Sequence, residues 1–412
     1  MTTSREGTRE AEGSDPIRAF YEAHPYPPPV EALADSGRDL ERRRALSLIL
    51  WPLQPMRTGR RILVAGCGTS QAARYAFAEP NAQVTGVDVS ETSIRRTGAL
   101  QQKHGLANLR LHQLAIERVA EIGETFDQVV CTGVLHHLAD PDAGLRALRE
   151  VLAPEGAMQL MVYAPYGRAG IYMMQAYCRL LGIGGSRKEL TDLGVATAAL
   201  PSDHPLARVA KRAKDFRQPD ALADALLNPR DRAFSVPQIF DWLKRCGLAF
   251  GRWHEQAPYL PQCGAVVAPP HAPRLAALPP EARFAAMELL RGTMDRHAFI
   301  AYRDDSPAKP QPVSFETDAW RDYVPVGLPW SRFVREGVPK EFSAALVNPS
   351  HPFSDLALFL RRDEERLLLG IDGDRSIGEI LDEAGVADEK GCAFFRRLWE
   401  HDQIVLDAKR PP

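Results

Sequence analysis

The feature that most constrains the fold is a β-rich run that ends in Gly66, Cys67 and Gly68 and leads into a helical stretch. A second β-rich run ends at Asp88, twenty residues after Gly68 by subtraction (88 − 68). Glycines let a ligand approach the backbone, and in dinucleotide sites an acid about 20 residues further on binds the ribose. The pattern predicts a nucleoside-binding turn, although Ser70 stands where a pyrophosphate loop has its third glycine. The alternative is an ordinary strand-to-helix turn with a surface Asp88.

Short β-rich runs alternate with helical periodicity from residue 42 to residue 163, which predicts an α/β fold with helices on both faces of a parallel sheet. Strands are predicted at 61–66, 83–89, 109–114, 126–133 and 157–163, with 297–303 as the last strand of the same sheet. We expect Ser90 to cap one helix and Gly105 to end it. A second helix should begin with acids near residue 140 and close at Pro154 and Gly156.

The length of 412 residues suggests two or three domains. The alternation stops after Tyr163, and the following stretch is mostly helical by pattern. The predicted divisions are a disordered segment at 1–14, an N-terminal helical and aromatic arm at 15–55, a first domain at 56–303 with an insertion at about 166–233, a linker at 304–345, and a small α+β domain at 346–412.

The composition excludes several classes of protein. A net charge of −2 with 45% hydrophobic and 25% charged residues argues against a disordered polyelectrolyte and a strongly basic nucleic-acid binder. The six cysteines form no C-x-x-C pair, so we expect neither a metal site nor a disulfide framework. The polar N-terminus and the absence of a run of about 18 apolar residues predict a cytoplasmic protein without a membrane partner.

Three stretches carry a resemblance to a known family. "ILVAGCGTS" and "GVDVS" resemble the first two motifs of the class I S-adenosylmethionine-dependent methyltransferases of type 11 and 12, and "FDQVVCTGVLHHLADPDAGLRALREVLAPEGAMQLMVY" resembles the stretch that follows them. The resemblance covers residues 60–165 well and extends more loosely through 235–248 and 297–303. It implies a Rossmann-like sheet and S-adenosyl-L-methionine as cofactor. Because that cofactor has no pyrophosphate, Ser70 is free to cap the helix instead.

The resemblance also implies roles for individual residues. Gly66 and Gly68 would lie behind the methionine portion of the cofactor, and Asp88 would accept hydrogen bonds from the ribose hydroxyls. Relatives often have an acid after the third strand, near the adenine amino group. This chain departs from that pattern, so the backbone near Ala115 and Ile116, or the Glu117 carboxylate, would serve instead. Thr132 lies at the carboxyl end of the fourth strand, beside the expected cofactor crevice.

Candidate catalytic and acceptor-binding residues follow the fourth and fifth strands. His136 and His137 are candidates for a general base, since a neutral imidazole accepts a proton near neutral pH, but a structural role is also open. Tyr163, Tyr166 and Arg168 either line the acceptor pocket or belong to ordinary loop packing. In the N-terminal arm, Tyr21 either closes over the cofactor or simply packs.

These observations favour a methyltransferase that acts on a small molecule or a peptide side chain. An RNA methyltransferase is an alternative, because the helix predicted within 204–216 carries Arg208, Lys211, Arg212 and Lys214, although the near-neutral net charge favours a solvated basic face. A non-catalytic regulatory protein that binds S-adenosylmethionine is another alternative. Residues 367–406 weakly resemble winged-helix-like modules, which leaves peptide recognition or a structural role, including a homodimer interface, open.

Overall fold

The computed structural model describes residues 15–33, 40–54, 57–212, 216–264, 270–306 and 313–408. A seven-stranded sheet with the order β3-β2-β1-β4-β5-β7-β6 lies at its centre. The strands are β1 (Arg61–Ala65), β2 (Gln83–Asp88), β3 (Leu109–Gln113), β4 (Phe126–Thr132), β5 (Leu152–Tyr163), β6 (Leu248–Trp253) and β7 (Arg296–Arg303). The first five pair in parallel, whereas β7 pairs antiparallel with both β5 and β6. The predicted α/β class and Rossmann-like sheet are therefore confirmed.

Helices pack on both faces of this sheet and extend into the segments that flank it. Their bounds are α1 (Pro16–Ala23), α2 (Leu40–Leu50), α3 (Gln71–Ala78), α4 (Glu91–His104), α5 (Pro141–Val151), α6 (Ala169–Leu181), α7 (Arg187–Ala198), α8 (Pro205–Arg212), α9 (Pro219–Leu227), α10 (Val236–Arg245), α11 (Ala272–Ala276) and α12 (Pro280–Arg291). The helices α6 to α9 lie within the predicted insertion at 166–233.

Strand β1 shows why the central sheet is buried on both sides. Ile62 and Val64 pack into one apolar layer, with residues of α3 and α4. Leu63 and Ala65 point to the opposite face and pack with residues of α5 and α10. Since all four side chains are buried, the strand reads as a continuous apolar run rather than an alternating one.

The caps of two helices test the sequence predictions locally. The Ser90 hydroxyl accepts a hydrogen bond from the Ser93 amide at 3.1 Å, and Gly105 ends α4 in the left-handed conformation at φ +61°. Both predictions are confirmed. Ser70 does precede α3, but its side chain makes no capping hydrogen bond, so that prediction was wrong. The physical reason is its backbone, which has ψ −14° instead of the extended conformation that aims a capping oxygen at the helix.

The predicted end of α5 also needs correction. The helix ends at Val151, and β5 begins at the next residue, so Pro154 and Gly156 lie inside the strand. Phe126 of β4 pairs with Leu152, but the register then shifts before Gln128 pairs with Ala157. This irregularity accommodates the extra residues of β5, including a proline that a regular ladder would exclude.

Helix α8 lies within the segment 204–216 where the basic helix is predicted. Leu206 and Val209 are buried in a cluster that also contains Phe216, as the apolar spacing predicts. The side chains of Arg208 and Arg212, and Lys214 as a whole, lie outside the described residues, as does the predicted disordered segment 1–14.

The C-terminal part contains two small sheets and three helices. Its elements are β8 (Val324–Gly327), β9 (Arg332–Val334), β10 (Ala344–Val347), β11 (Leu358–Leu360), α13 (Arg362–Leu369), α14 (Ile377–Ala384), α15 (Asp388–Glu400) and β12 (Ile404–Asp407). Strands β8 and β9 lie inside the predicted linker 304–345, and β8 pairs with β12. The predicted division into domains stays a prediction. Among the described residues, no helix has both the length and the hydropathy that a membrane span requires.

Candidate functional site

A cavity of about 510 Å³ lies at the carboxyl ends of the parallel strands, where open α/β sheets bind ligands. Its lining residues include two groups, the glycine-loop wall and the tyrosine wall. The glycine-loop wall consists of Gly66, Gly68, Asp88, Ile116 and Thr132. The tyrosine wall consists of Tyr21, His137, Tyr163, Arg168 and Asp224.

The two glycines of the first wall are required by their surroundings. Gly66 and Gly68 have φ values of +70° and +54°, a conformation that side chains rarely adopt. A Cβ on Gly66 would lie 2.4 Å from Val134 Cγ2, and a Cβ on Gly68 would lie 2.9 Å from Pro27 Cδ. Both positions therefore require glycine, and both line the cavity.

Asp88 connects the glycine loop to the end of β2. Its Oδ2 accepts a hydrogen bond from the Gly68 amide at 2.8 Å, and its Oδ1 accepts one from the Ser90 amide at 2.9 Å. Burial raises the pKa of Asp88, and these backbone donors partly offset that effect. Each carboxylate oxygen keeps a further lone pair that can accept a ligand hydroxyl.

The remaining predicted cofactor contacts divide between the cavity and its surroundings. Ile116 and Thr132 line the cavity, and Gln71 Nε2 donates to Thr132 Oγ1 at 2.8 Å. Ala115 is not among the lining residues, and Glu117 is exposed to solvent.

The N-terminal arm covers the cavity from one side. The Tyr21 hydroxyl donates to Asp224 Oδ1 of α9 at 2.9 Å and accepts from Asn228 Nδ2 at 3.1 Å. The Glu22 carboxylate accepts from the first amides of α4, which include that of Glu91 at 2.5 Å. The Thr69 hydroxyl donates to the Pro27 carbonyl at 2.7 Å. The arm therefore contacts both the insertion and the glycine loop.

The two candidate histidines occupy different places. His137 lines the cavity, and its Nδ1 lies 2.6 Å from the Arg230 carbonyl. Because a carbonyl only accepts, Nδ1 carries the proton in neutral His137 and Nε2 holds a lone pair. No hydrogen-bond partner of Nε2 is found among the described residues. The Nε2 atom therefore has the lone pair that a general base requires.

His136 is part of the core instead. It is fully buried, it is absent from the cavity lining, and its ring lies 3.9 Å from the Tyr163 ring between centroids. Burial lowers the pKa of His136 well below its usual value, and the neighbouring His137 lowers it further. This geometry favours the structural interpretation for His136.

Two predicted acceptor residues also separate in the structure. Arg168 lines the cavity, where its guanidinium lies 3.4 Å from the centre of the Tyr163 ring. It forms a buried ion pair with Asp231 at 2.6 Å, so its charge is already balanced within the chain. Tyr166 is 42% exposed and does not line the cavity.

Sequence reasoning missed Asp224, which belongs to the tyrosine wall, and two polar residues beside it, Asn228 and Asp231. All three belong to the predicted insertion, and Asp224 is separated from its partner Tyr21 by 203 residues. No local spacing pattern relates residues so far apart in the chain. From the sequence alone, the charged residues of a helix such as α9 are expected on a solvated surface, and only the fold shows that one of them lines a cavity.

Fold and site together define a class. The sheet has five parallel strands followed by β6 and by β7, which runs antiparallel to both of its neighbours. A glycine loop follows β1, and the carboxylate at the end of β2 accepts a hydrogen bond from that loop. This is the architecture of class I S-adenosylmethionine-dependent methyltransferases. Gly66 and Gly68 line the cavity without side chains, which fits a nucleoside cofactor that lies against the backbone.

Comparisons with known proteins support this class. Residues 63–158 match the family described as a methyltransferase domain. Ubiquinone biosynthesis O-methyltransferase of Pseudomonas fluorescens is 33% identical over 99 residues, which are 24% of this chain and 42% of that protein. An uncharacterized protein of Synechococcus sp. is 34% identical over 246 residues, which are 57% of this chain and 58% of that protein. The chain thus spans roughly two to three fifths of these relatives.

A solved structure extends the similarity of fold. The structure of PKMT2 from Rickettsia typhi in complex with AdoHcy has a TM-score of 0.64 and covers 93% of this chain and 77% of that chain, at 17% identity. At that identity the likeness concerns the fold alone. Together with the matched family, it identifies this chain as one that carries a class I S-adenosylmethionine-dependent methyltransferase domain.

Proposed function

We propose that this protein transfers a methyl group from S-adenosylmethionine to a small molecule or a peptide side chain. This proposal rests on one observation: residues of the arm and the insertion line the same cavity as the glycine loop, and His137 Nε2 has no hydrogen-bond partner among the described residues. A covered cavity of about 510 Å³ suits a cofactor and a compact acceptor group.

The glycine-loop wall would hold the cofactor. The backbone at Gly66 and Gly68 would lie against its methionine portion, and the Asp88 carboxylate would accept from its ribose hydroxyls. Thr132 and Ile116 would line the rest of the nucleoside site. Once bound, the cofactor supplies an activated methyl group on a positively charged sulfur.

The tyrosine wall would orient the acceptor and exclude water. In-line positioning of a nucleophile against the methyl carbon accounts for much of the catalysis in such a reaction. His137 would remove the acceptor proton at Nε2, while its Nδ1–H bond to the Arg230 carbonyl holds the ring in that tautomer. Tyr21 and Tyr163 would cover the reacting atoms from both sides of His137.

The test is a transfer assay with methyl-labelled S-adenosylmethionine and cell extract separated into small-molecule, polypeptide and RNA fractions. We expect release of S-adenosylhomocysteine and label in a small molecule or a polypeptide, with both signals lost in Asp88→Ala. Label confined to RNA would contradict the acceptor class. Binding of S-adenosylhomocysteine without transfer to any fraction would favour a regulatory protein and overturn the proposal.

A further inference from the structure

The charges that line the cavity beyond the glycine-loop wall are unevenly balanced. Arg74 and Arg296 are exposed and Asp295 is partly exposed, whereas Arg168 and Asp224 are only 6% and 5% exposed. Arg168 has a carboxylate partner in Asp231 at 2.6 Å. Asp224 is therefore a buried carboxylate on this side of the cavity that forms no ion pair with the described residues.

The contacts of Asp224 are all with neutral groups. Its Oδ1 accepts from the Tyr21 hydroxyl at 2.9 Å and lies 3.5 Å from Asn228 Nδ2. Its Oδ2 accepts no hydrogen bond from the described residues, and none of them forms an ion pair with it within 4 Å. Burial raises the pKa of Asp224, and its interactions with His137, the Tyr21 hydroxyl and the Arg168 guanidinium, which lies beyond ion-pair distance, only partly offset that effect.

The surroundings of Asp224 suit a cation. The aromatic residues Tyr21, Tyr26 and Phe216 line the same cavity, and ring faces attract positive charge. A cationic ligand would supply the charge that Asp224 lacks. A neutral ligand would leave the carboxylate unpaired, and an anionic one would be repelled, which are both costly in a buried site.

From this imbalance we propose that the methyl acceptor is an aliphatic amine, whose ammonium group is held by Asp224 Oδ2. The proposal rests on the methyltransferase function above. The ammonium gives one proton to His137 Nε2, and the freed nitrogen lone pair forms a bond to the methyl carbon. The carbon–sulfur bond breaks and its electron pair returns to sulfur, which becomes a neutral thioether. The methylated ammonium and the His137 imidazolium carry the two positive charges that the sulfonium and the ammonium brought.

The test uses analogues of S-adenosylhomocysteine in which nitrogen replaces sulfur and carries a 2-aminoethyl, a 2-hydroxyethyl or a carboxymethyl arm. These arms enter the acceptor side of the cavity with matched size and different charge. Calorimetry at neutral pH should show that the wild type binds the aminoethyl analogue at least about tenfold more tightly than the hydroxyethyl analogue, since hydrogen bonds between charged groups are the strong ones. The carboxymethyl analogue should bind most weakly.

Two variants of the same helix serve as probe and control. Asp224→Asn should bring the aminoethyl and hydroxyethyl affinities within about twofold of each other while S-adenosylhomocysteine binds as in the wild type. Asp220→Asn, four residues earlier on α9 and outside the cavity lining, should keep the full preference.

The outcomes separate the two proposals. Equal or tighter binding of the hydroxyethyl or carboxymethyl analogue by the wild type would overturn the amine acceptor, whatever the variants do. Survival of the preference in Asp224→Asn would also overturn it. Failure of the wild type to bind S-adenosylhomocysteine would refute the methyltransferase function instead.

Discussion

The two walls of the cavity are built in different ways. The glycine-loop wall combines the backbone of two glycines with side chains from the ends of neighbouring strands, and the hydrogen bond that connects it joins residues 20 apart in the chain. The tyrosine wall is made by side chains whose hydrogen bonds join Tyr21 to Asp224 and His137 to Arg230, which are 203 and 93 residues apart. The residues of the glycine-loop wall therefore come from one stretch of alternating strands and helices, whereas the tyrosine wall forms only after the arm and the insertion have packed.

The largest expected effect separates the chemistry of the two walls. His137→Ala should lower kcat by about 10²- to 10⁴-fold, because it removes the proposed general base of the tyrosine wall. The affinity for S-adenosylhomocysteine should stay unchanged, because the glycine-loop wall is intact. Both are measured with the acceptor that the transfer assay identifies, and added imidazole should restore part of the rate. An unchanged kcat would assign His137 a structural role.

The next effect concerns what holds the tyrosine wall in place. Asp231→Ala leaves the Arg168 charge buried and unpaired, so we expect a loss of about 3–5 kcal/mol in the free energy of unfolding by urea. The matched control is Asp304→Ala, which breaks the solvated ion pair with Arg149 at 3.0 Å and should cost no more than about 1 kcal/mol. Equal losses in the two variants would show that the Arg168 pair is not what supports this wall.

A smaller effect tests whether the arm acts on the acceptor. Tyr21→Phe and the control Tyr75→Phe each remove one hydroxyl. The Tyr75 hydroxyl donates to Gln159 Oε1 at 3.2 Å, and neither of these two residues lines the cavity. Each should cost about 0.5–1.5 kcal/mol of stability. KM for the acceptor should rise in Tyr21→Phe alone. A rise in both variants would point to a general loosening of the fold.

The smallest effect lies on the glycine-loop side. Ser90→Ala should cost about 1 kcal/mol in the free energy of unfolding, because the hydroxyl caps α4. Ser70→Ala should cost less than Ser90→Ala, because Ser70 makes no capping bond to α3. Urea unfolding of the protein without cofactor measures both, and a larger loss in Ser70→Ala would restore the capping role.

The same contrast explains how much the sequence could predict. The strands, the cap at Ser90 and the place of Asp88 follow from short-range patterns, since each depends on neighbours within about one supersecondary unit. Ser70 was misjudged because residue type does not reveal the ψ angle of a tight turn. Asp224 was missed because its place in the cavity depends on a contact with Tyr21, which is 203 residues away in the chain. The sequence does not distinguish His136 from His137, because they are adjacent residues of the same type. In the structure, both belong to the short 3₁₀ helix Leu135–His137, and only the second lines the cavity.

The most direct test of the central claim, that the glycine-loop wall binds the cofactor, is a calorimetric titration of S-adenosylhomocysteine into the wild type and Asp88→Ala. The claim predicts that the wild type binds it and that the variant loses at least about tenfold in affinity, since two ribose hydroxyls lose a charged acceptor. No binding by the wild type, or equal binding by the two proteins, would contradict the claim.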